Sequence, residues 1–223
     1  MVNPVTFYRS EAVGSLTAPR LLLAHGAGAP ADSEFMERLA KSLSLQGVTT
    51  LRFEFPYMVK RRQDGRKRPP DRQPALLECF RQAIADVAAG PDGGCPLFIG
   101  GKSMGGRMAS HMIAQGGFPP GIRGAVCFGY PFHPPGKPDR WRINHFQDLK
   151  RPLQIIQGTR DPFGRRHEVE EEERGLAAME NVRLSWLEGG DHDYRPLARQ
   201  QESHDEMLRQ AAGRAAAFMH CLK

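Results

Sequence analysis

No run of apolar residues in this sequence approaches the length of a membrane-spanning helix. The first ten residues also lack the basic-then-apolar pattern of a signal peptide. The cysteines lie far apart and form no C-x-x-C pair; they are Cys79, Cys95, Cys127 and Cys221. This scatter is typical of reduced thiols and argues against both a disulfide framework and a zinc site. We therefore expect a cytoplasmic protein that has no membrane partner and binds no metal.

Positive charge is present in excess, and much of it lies in one stretch. The net charge is +6, and residues 60–72 contain Lys60, Arg61, Arg62, Arg66, Lys67, Arg68 and Arg72. Such a segment permits contact with nucleic acid or with an acidic surface. Aromatic residues do not alternate with these basic ones, and no nucleic-acid-binding motif is present. We therefore do not expect nucleic-acid binding.

Apolar runs that are typical of buried parallel strands alternate with amphipathic segments along the chain. The strand-like runs are residues 20–24, 48–55, 97–99, 122–128, 152–158 and 182–187, after a short edge strand at 6–9. The helix-like segments lie near residues 33–45, 75–89, 104–115, 167–179 and 202–221. This alternation predicts an α/β fold with a mostly parallel central sheet and helices on both faces.

The length of 223 residues suits one domain over residues 1–223, with the polar, basic segment 57–74 as a loop insertion. Residues 129–151 are too few to form a large cap domain over the sheet. In proteins with such a sheet, ligands bind just outside the carboxyl ends of the strands. We therefore expect catalytic or binding residues in the segments that directly follow the predicted strands.

The segment Gly101-Lys102-Ser103-Met104-Gly105 lies between a strand-like run and a helix-like run. A serine in G-x-S-x-G is typical of the nucleophile elbow, a sharp strand-to-helix turn that only glycine can flank closely. An ordinary strand-to-helix turn is the alternative interpretation. A phosphate-binding loop is excluded, because Pro96 occupies the place of its first glycine.

A serine nucleophile also needs a base that takes its proton and an acid that orients this base. Candidates for both follow later strands. Asp161 follows the strand at 152–158, and His192 follows the strand at 182–187. The order Ser…Asp…His is that of α/β-hydrolases. His192 would take the proton of Ser103, and Asp161 would orient the imidazole. His133 is the strongest rival base, and Asp161 could instead only initiate a turn.

Backbone amides near the serine would stabilise a developing oxyanion. We predict the amide of Met104, at the helix N-terminus, and the amide of Ala27 in the glycine-rich loop after the first central strand. Tyr57 and residues 131–136 would roof a shallow pocket. The predicted substrate-binding residues are His25, Gly26, Gly28, Tyr57, Lys102 and His133.

Four segments together resemble one branch of small α/β-hydrolases. They are His25-Gly26-Ala27-Gly28, Arg52-Phe53-Glu54-Phe55-Pro56-Tyr57, Gly101-Lys102-Ser103-Met104-Gly105-Gly106-Arg107 and Gly129-Tyr130-Pro131-Phe132-His133-Pro134-Pro135-Gly136. The branch includes the hydrolase-like domain of subunit three of the NSL histone-acetyltransferase complex and bacterial dienelactone-hydrolase-like proteins. The resemblance implies the α/β-hydrolase fold and a Ser103–Asp161–His192 triad. It implies no particular substrate.

These observations predict a serine hydrolase that cleaves an ester, thioester or similar acyl bond of a small molecule without a cofactor. The alternative is a catalytically silent hydrolase fold that serves as a binding module. The basic segment raises the further hypothesis that anionic substrates are steered to the site, against the alternative of a solvated loop. The oligomeric state is not predicted by the sequence.

Overall fold

A computed structural model describes residues 5–14, 18–90, 94–117, 121–171, 176 and 179–222. These residues form a seven-stranded sheet with the order β1-β3-β2-β4-β5-β6-β7. The strands are β1 Tyr8–Ser10, β2 Arg20–Ala24, β3 Thr49–Phe53, β4 Leu97–Lys102, β5 Ile122–Phe128, β6 Leu153–Gly158 and β7 Val182–Leu187. Only β1 runs antiparallel to its neighbour, whereas the other six strands are parallel. The predicted mostly parallel sheet is confirmed.

Helices connect the strands and cover both faces of the sheet. They are α1 Glu34–Leu45, α2 Pro56–Asp64, α3 Gln73–Ala89, α4 Met104–Gln115, α5 Arg166–Val169 and α6 His204–Cys221, with a short 3-10 helix at Asn144–Asp148. Side chains from α3 and α4 pack on one face of the sheet. Side chains from α1 and α6 pack on the other face. No helix within the described ranges is long and apolar enough to cross a membrane.

The segment after β3 differs from its prediction. We expected a loop from residue 57 to 74, but its first part is the helix α2. Pro56 lies in the first turn of α2. N–H groups in this turn have no hydrogen-bond partner within the helix, so the absence of an N–H in proline costs no helical hydrogen bond. The helix ends at Gly65, which adopts the left-handed conformation with φ 70°. Residues 66–72 then lead to α3 without regular structure.

The helix expected over residues 167–179 differs as well. Among the described residues of this segment, the α-helical ones form the single turn Arg166–Val169. Residues 172–175, 177 and 178 of the expected helix lie outside the described residues. The strand expected at 48–55 is shorter, because residues 54 and 55 have left the sheet before α2 begins.

Two histidines remote from the predicted site should make the fold sensitive to acid. The rings of His111 and His145 stack with 3.6 Å between their centroids. Burial, reinforced by Arg107, lowers the pKa of His111 to about 4. Burial and the neighbouring His111 lower the pKa of His145 to about 3. The unfolded chain therefore binds protons near pH 6.5 that the folded chain does not bind, so stability falls as the pH drops below about 6.5.

We expect the free energy of unfolding to fall less between pH 7 and pH 5 in His111→Gln/His145→Gln than in the original chain. Urea denaturation at both pH values measures this difference. His167→Gln, at an exposed position, is the matched control and should keep the original pH dependence. An equal fall in the free energy of unfolding between pH 7 and pH 5 in all three proteins would contradict the prediction.

Candidate active site

Ser103 lies at the junction of β4 and α4 in a strained backbone conformation. Its φ and ψ angles are 51° and −114°, and it is one of two non-glycine residues with positive φ in the described part of the chain. Its N–H donates a hydrogen bond of 2.9 Å to the carbonyl of Phe128 on the neighbouring strand β5. A conformation of this kind costs on the order of 1–3 kcal/mol and persists only where its surroundings enforce it.

The flanking glycines are required by close backbone approach. A Cβ on Gly101 would lie 2.4 Å from the carbonyl carbon of Gly105. A Cβ on Gly105 would lie 2.5 Å from the carbonyl oxygen of Ala24 at the end of β2. The turn therefore brings the ends of β2 and β4 against the first turn of α4, where N–H groups lack helical partners.

Ser103, His192 and Asp161 form one hydrogen-bonded chain. The Nε2 atom of His192 lies 3.0 Å from the hydroxyl oxygen of Ser103. The Nδ1 atom of His192 lies 2.7 Å from Oδ2 of Asp161. An ionised carboxylate only accepts hydrogen bonds, so Nδ1 carries the proton and Nε2 of the neutral ring is free to accept from the serine.

The carboxylate of Asp161 is fully buried and has two further donors. The side-chain amide of Gln157 donates to Oδ2 over 2.9 Å, and the N–H of Phe163 donates to Oδ1 over 2.9 Å. These bonds fix the carboxylate in the direction of His192 and compensate for its removal from water. Sequence reasoning missed Gln157, because one amide within an apolar strand carries no signal of its own.

The two aspartates beside His192 have other partners. Asp191 accepts hydrogen bonds from the N–H groups of Asp193 and Arg195, and so it shapes the loop. Asp193 lies 3.3 Å from the ammonium of Lys102. Neither aspartate is placed to orient the imidazole, whereas Asp161 is.

A cavity of about 460 Å³ opens beside Ser103 and His192. Its walls are formed by the loop 26–29, Ser33 and the first three residues of α1, Lys102, Phe163, His192, Asp193, Arg195 and His204. Three predicted substrate-binding residues, Gly26, Gly28 and Lys102, therefore line this cavity. The walls at α1, Phe163 and His204 were not predicted, because their approach to the serine depends on how the helices pack.

The remaining three predicted substrate-binding residues lie elsewhere. His25 and Tyr57 are buried behind the glycine-rich loop. His133 is also buried, with its Nδ1 atom 2.9 Å from the carbonyl of Pro134 and its Nε2 atom 3.4 Å from Glu168. The predicted roof over the site, formed by Tyr57 and residues 131–136, was wrong. His25, Tyr57 and His133 come after strands, but their side chains are buried and line no part of the cavity, while residues 135 and 136 are exposed outside its walls.

Lys102 connects the turn at Ser103 to the loop that carries His192. Its buried ammonium donates to the backbone carbonyl of His192 over 2.7 Å and lies 5.2 Å from the centre of the Phe35 ring. Burial lowers the pKa of Lys102, while the carboxylate of Asp193 acts in the opposite direction. The side chain of Lys102 thus holds the backbone of His192 in place beside the cavity.

Two comparisons with known proteins agree with this architecture. Residues 17–220 match the family model described as alpha/beta hydrolase domain. This chain belongs to that family. Dienelactone hydrolase from Anabaena variabilis is 20% identical and superposes with a TM-score of 0.71 over 99% of this chain and 100% of that one.

Two further solved structures share the fold. Est1E from Butyrivibrio proteoclasticus is 14% identical, with a TM-score of 0.69 over 98% of this chain and 100% of that one. An α/β serine hydrolase without lid from Xanthomonas campestris is 14% identical, with a TM-score of 0.69 over 100% of this chain and 97% of that one. The predicted α/β-hydrolase fold is therefore confirmed.

Gly105→Ala should destabilise the fold strongly, because the added Cβ meets backbone atoms that cannot turn aside. We expect a loss of at least ~1–3 kcal/mol in the free energy of unfolding, measured by urea denaturation. Gly213→Ala is the matched control within α6, where an added Cβ meets nothing within 4 Å. It should gain about 0.5–1 kcal/mol from helix propensity. A Gly105→Ala variant as stable as the original chain would contradict the close approach.

Proposed function

We propose that this protein is a serine hydrolase that cleaves the acyl bond of a small ester or thioester through an acyl-enzyme on Ser103. The hydrogen-bonded chain from Asp161 through His192 to Ser103 carries the proposal. A serine hydroxyl is a weak nucleophile unless a neighbouring base takes its proton. This chain supplies such a base, already in the required tautomer.

In the proposed reaction, Ser103 attacks the acyl carbonyl as His192 takes the hydroxyl proton. The oxygen of the tetrahedral intermediate receives hydrogen bonds from the N–H groups of Met104 and Ala27. His192 then gives its proton to the leaving alcohol or thiol, and the acyl group remains on Ser103. A water molecule, deprotonated by His192, hydrolyses the acyl-enzyme and restores the serine.

The form of the cavity supports a small acyl substrate. Its volume of about 460 Å³ lies within the range of small-molecule sites. Phe35, Met36 and Phe163 provide apolar wall, and Ser33, Glu34 and Arg195 provide polar groups. Two of the structurally similar proteins are a dienelactone hydrolase and Est1E, which was solved with ferulic acid bound. We infer a carboxylesterase-like activity on this basis.

The alternatives have less support. A silent binding module, as the resemblance to the NSL subunit suggests, would not need a buried carboxylate aligned with a histidine and a serine. Nucleic-acid binding or steering through residues 60–72 is weakened because two of the cations are paired with carboxylates: Arg62 pairs with Glu54, and Arg68 pairs with Asp64. A cytoplasmic location stays a prediction from the sequence.

A fluorophosphonate probe tests for the activated serine. We expect labelling of the original chain and its loss in both Ser103→Ala and His192→Ala, because the probe reacts only with a serine whose proton has an acceptor. His167→Ala, exposed on α5, is the control and should label normally. Absence of labelling in a folded original chain would favour the binding module.

Asp161→Asn should lower kcat by about 10⁴-fold on an activated ester with little change in KM, because the imidazole loses its orienting acceptor. Asp193→Asn, beside the same histidine, should lose far less, since Asp193 faces Lys102. Steady-state kinetics of both variants separate the two carboxylates. A larger loss at Asp193 would contradict the assignment of Asp161.

A further inference from the structure

Three consecutive carbonyl groups in the loop beside Ser103 are held by side chains that lie outside the cavity. The carbonyl of Gly26 lies 2.6 Å from Nδ1 of His25 and accepts from the hydroxyl of Tyr57 over 3.3 Å. The carbonyl of Ala27 accepts from the same hydroxyl over 3.0 Å. The carbonyl of Gly28 accepts from the guanidinium of Arg61 over 3.0 Å.

The protonation state of His25 makes it a donor to this loop. Its Nε2 atom accepts a hydrogen bond of 3.1 Å from the N–H of Phe55. Burial lowers the pKa of His25, so the ring is neutral and its one proton is on Nδ1. Nδ1–H therefore donates to the carbonyl of Gly26. Burial also raises the pKa of Tyr57 well above its usual value, so that its hydroxyl keeps the proton that it donates.

Tyr57 and Arg61 lie one turn apart on α2, and this helix is itself anchored. The N–H of Tyr57 donates to the carboxylate of Asp71 over 2.9 Å. Arg62 forms ion pairs with Glu54 and with Asp32. Because Glu54 is almost fully buried, its pairing with Arg62 fixes the position of α2 against the end of β3.

The held carbonyls determine where the amides of the loop point. In a trans peptide, the C=O of one residue and the N–H of the next point in opposite directions. With the carbonyl of Gly26 turned to His25 and Tyr57, the N–H of Ala27 points away from them. Gly26 and Ala27 line the cavity together with Ser103, and a Cβ on Gly26 would lie 3.8 Å from the Cβ of Ser103. Within the described ranges, no protein group accepts from the N–H of Ala27.

We propose that Tyr57 and Arg61 are positioning residues that keep the oxyanion hole formed before substrate binds, by holding the carbonyls of residues 26–28 away from the cavity. The inference rests on the proposed function, since it needs an oxyanion that forms at Ser103. It gives the basic helix α2 a role within the protein, because Arg61 on this helix holds the carbonyl of Gly28.

The test compares Tyr57→Phe and Arg61→Ala with matched controls. Tyr130→Phe removes a buried hydroxyl that also donates to a backbone carbonyl, that of Arg142, away from the loop. Arg66→Ala removes an exposed basic side chain of the same segment. Arg61→Lys keeps a donor for Gly28 and should recover part of the loss. Urea denaturation of every variant separates a loss of fold from a loss of function.

The readouts are kcat and KM for a p-nitrophenyl ester and the inhibition constant of a trifluoromethyl ketone with the same acyl group. The ketone adds to the serine and places an oxyanion in the hole. Loss of one oxyanion donor costs ~10²–10³-fold in kcat, so a donor left misaligned should cost about tenfold or more. We expect such a loss in kcat for Tyr57→Phe and Arg61→Ala, little change in KM, and weakening of the ketone by the same factor.

In the two control variants, kcat and the inhibition constant of the ketone should stay within about twofold of the original values. A change of that size is too small to reflect the loss of a hydrogen bond to the oxyanion. Unchanged kcat and ketone inhibition in folded Tyr57→Phe and Arg61→Ala, with an active original chain, would overturn the inference and leave the proposed function standing. An equal loss in the controls would overturn it as well. If Tyr57→Phe does not fold, Arg61→Ala and Arg61→Lys decide. An original chain that neither hydrolyses the ester nor binds the ketone would overturn both proposals.

Discussion

The hydrogen bond between the buried carboxylate of Asp161 and His192 is the interaction on which the proposed chemistry depends. A buried carboxylate is tolerated only where donors surround it, and here Gln157 and the N–H of Phe163 supply them alongside the imidazole. Once the carboxylate is fixed, the proton must be on Nδ1 of His192. The other ring nitrogen then faces Ser103 as an acceptor.

Backbone packing positions the other half of the site. The approach of Gly101 and Gly105 to each other and to Ala24 forces Ser103 into its strained turn. Lys102, the residue before the serine, reaches beneath the cavity to hold the backbone of His192. Lys102 therefore links the turn at Ser103 to the loop of His192, and a disturbance of either segment should affect the position of both side chains.

The sheet and the Ser103–Asp161–His192 set could be predicted because they leave local patterns: apolar runs, glycines at fixed spacing, and one acidic and one basic residue directly after strands. Side-chain direction within a loop leaves no such pattern. Tyr57 and His133 follow strands as Asp161 does, yet they turn into the core. The helix α2 was missed because its charges resemble those of a solvated loop, whereas Arg61 contacts Gly28 and Arg62 pairs with Asp32, both of them distant in sequence.

The most direct test of the account is to trap the covalent intermediate. The protein would be mixed with p-nitrophenyl acetate, quenched in acid within the first turnovers, digested and examined by peptide mass spectrometry. We expect one acetyl group on Ser103, released on longer incubation at neutral pH, and none in His192→Ala. Turnover of the ester with no acetyl group on Ser103 at any time would contradict the proposed mechanism.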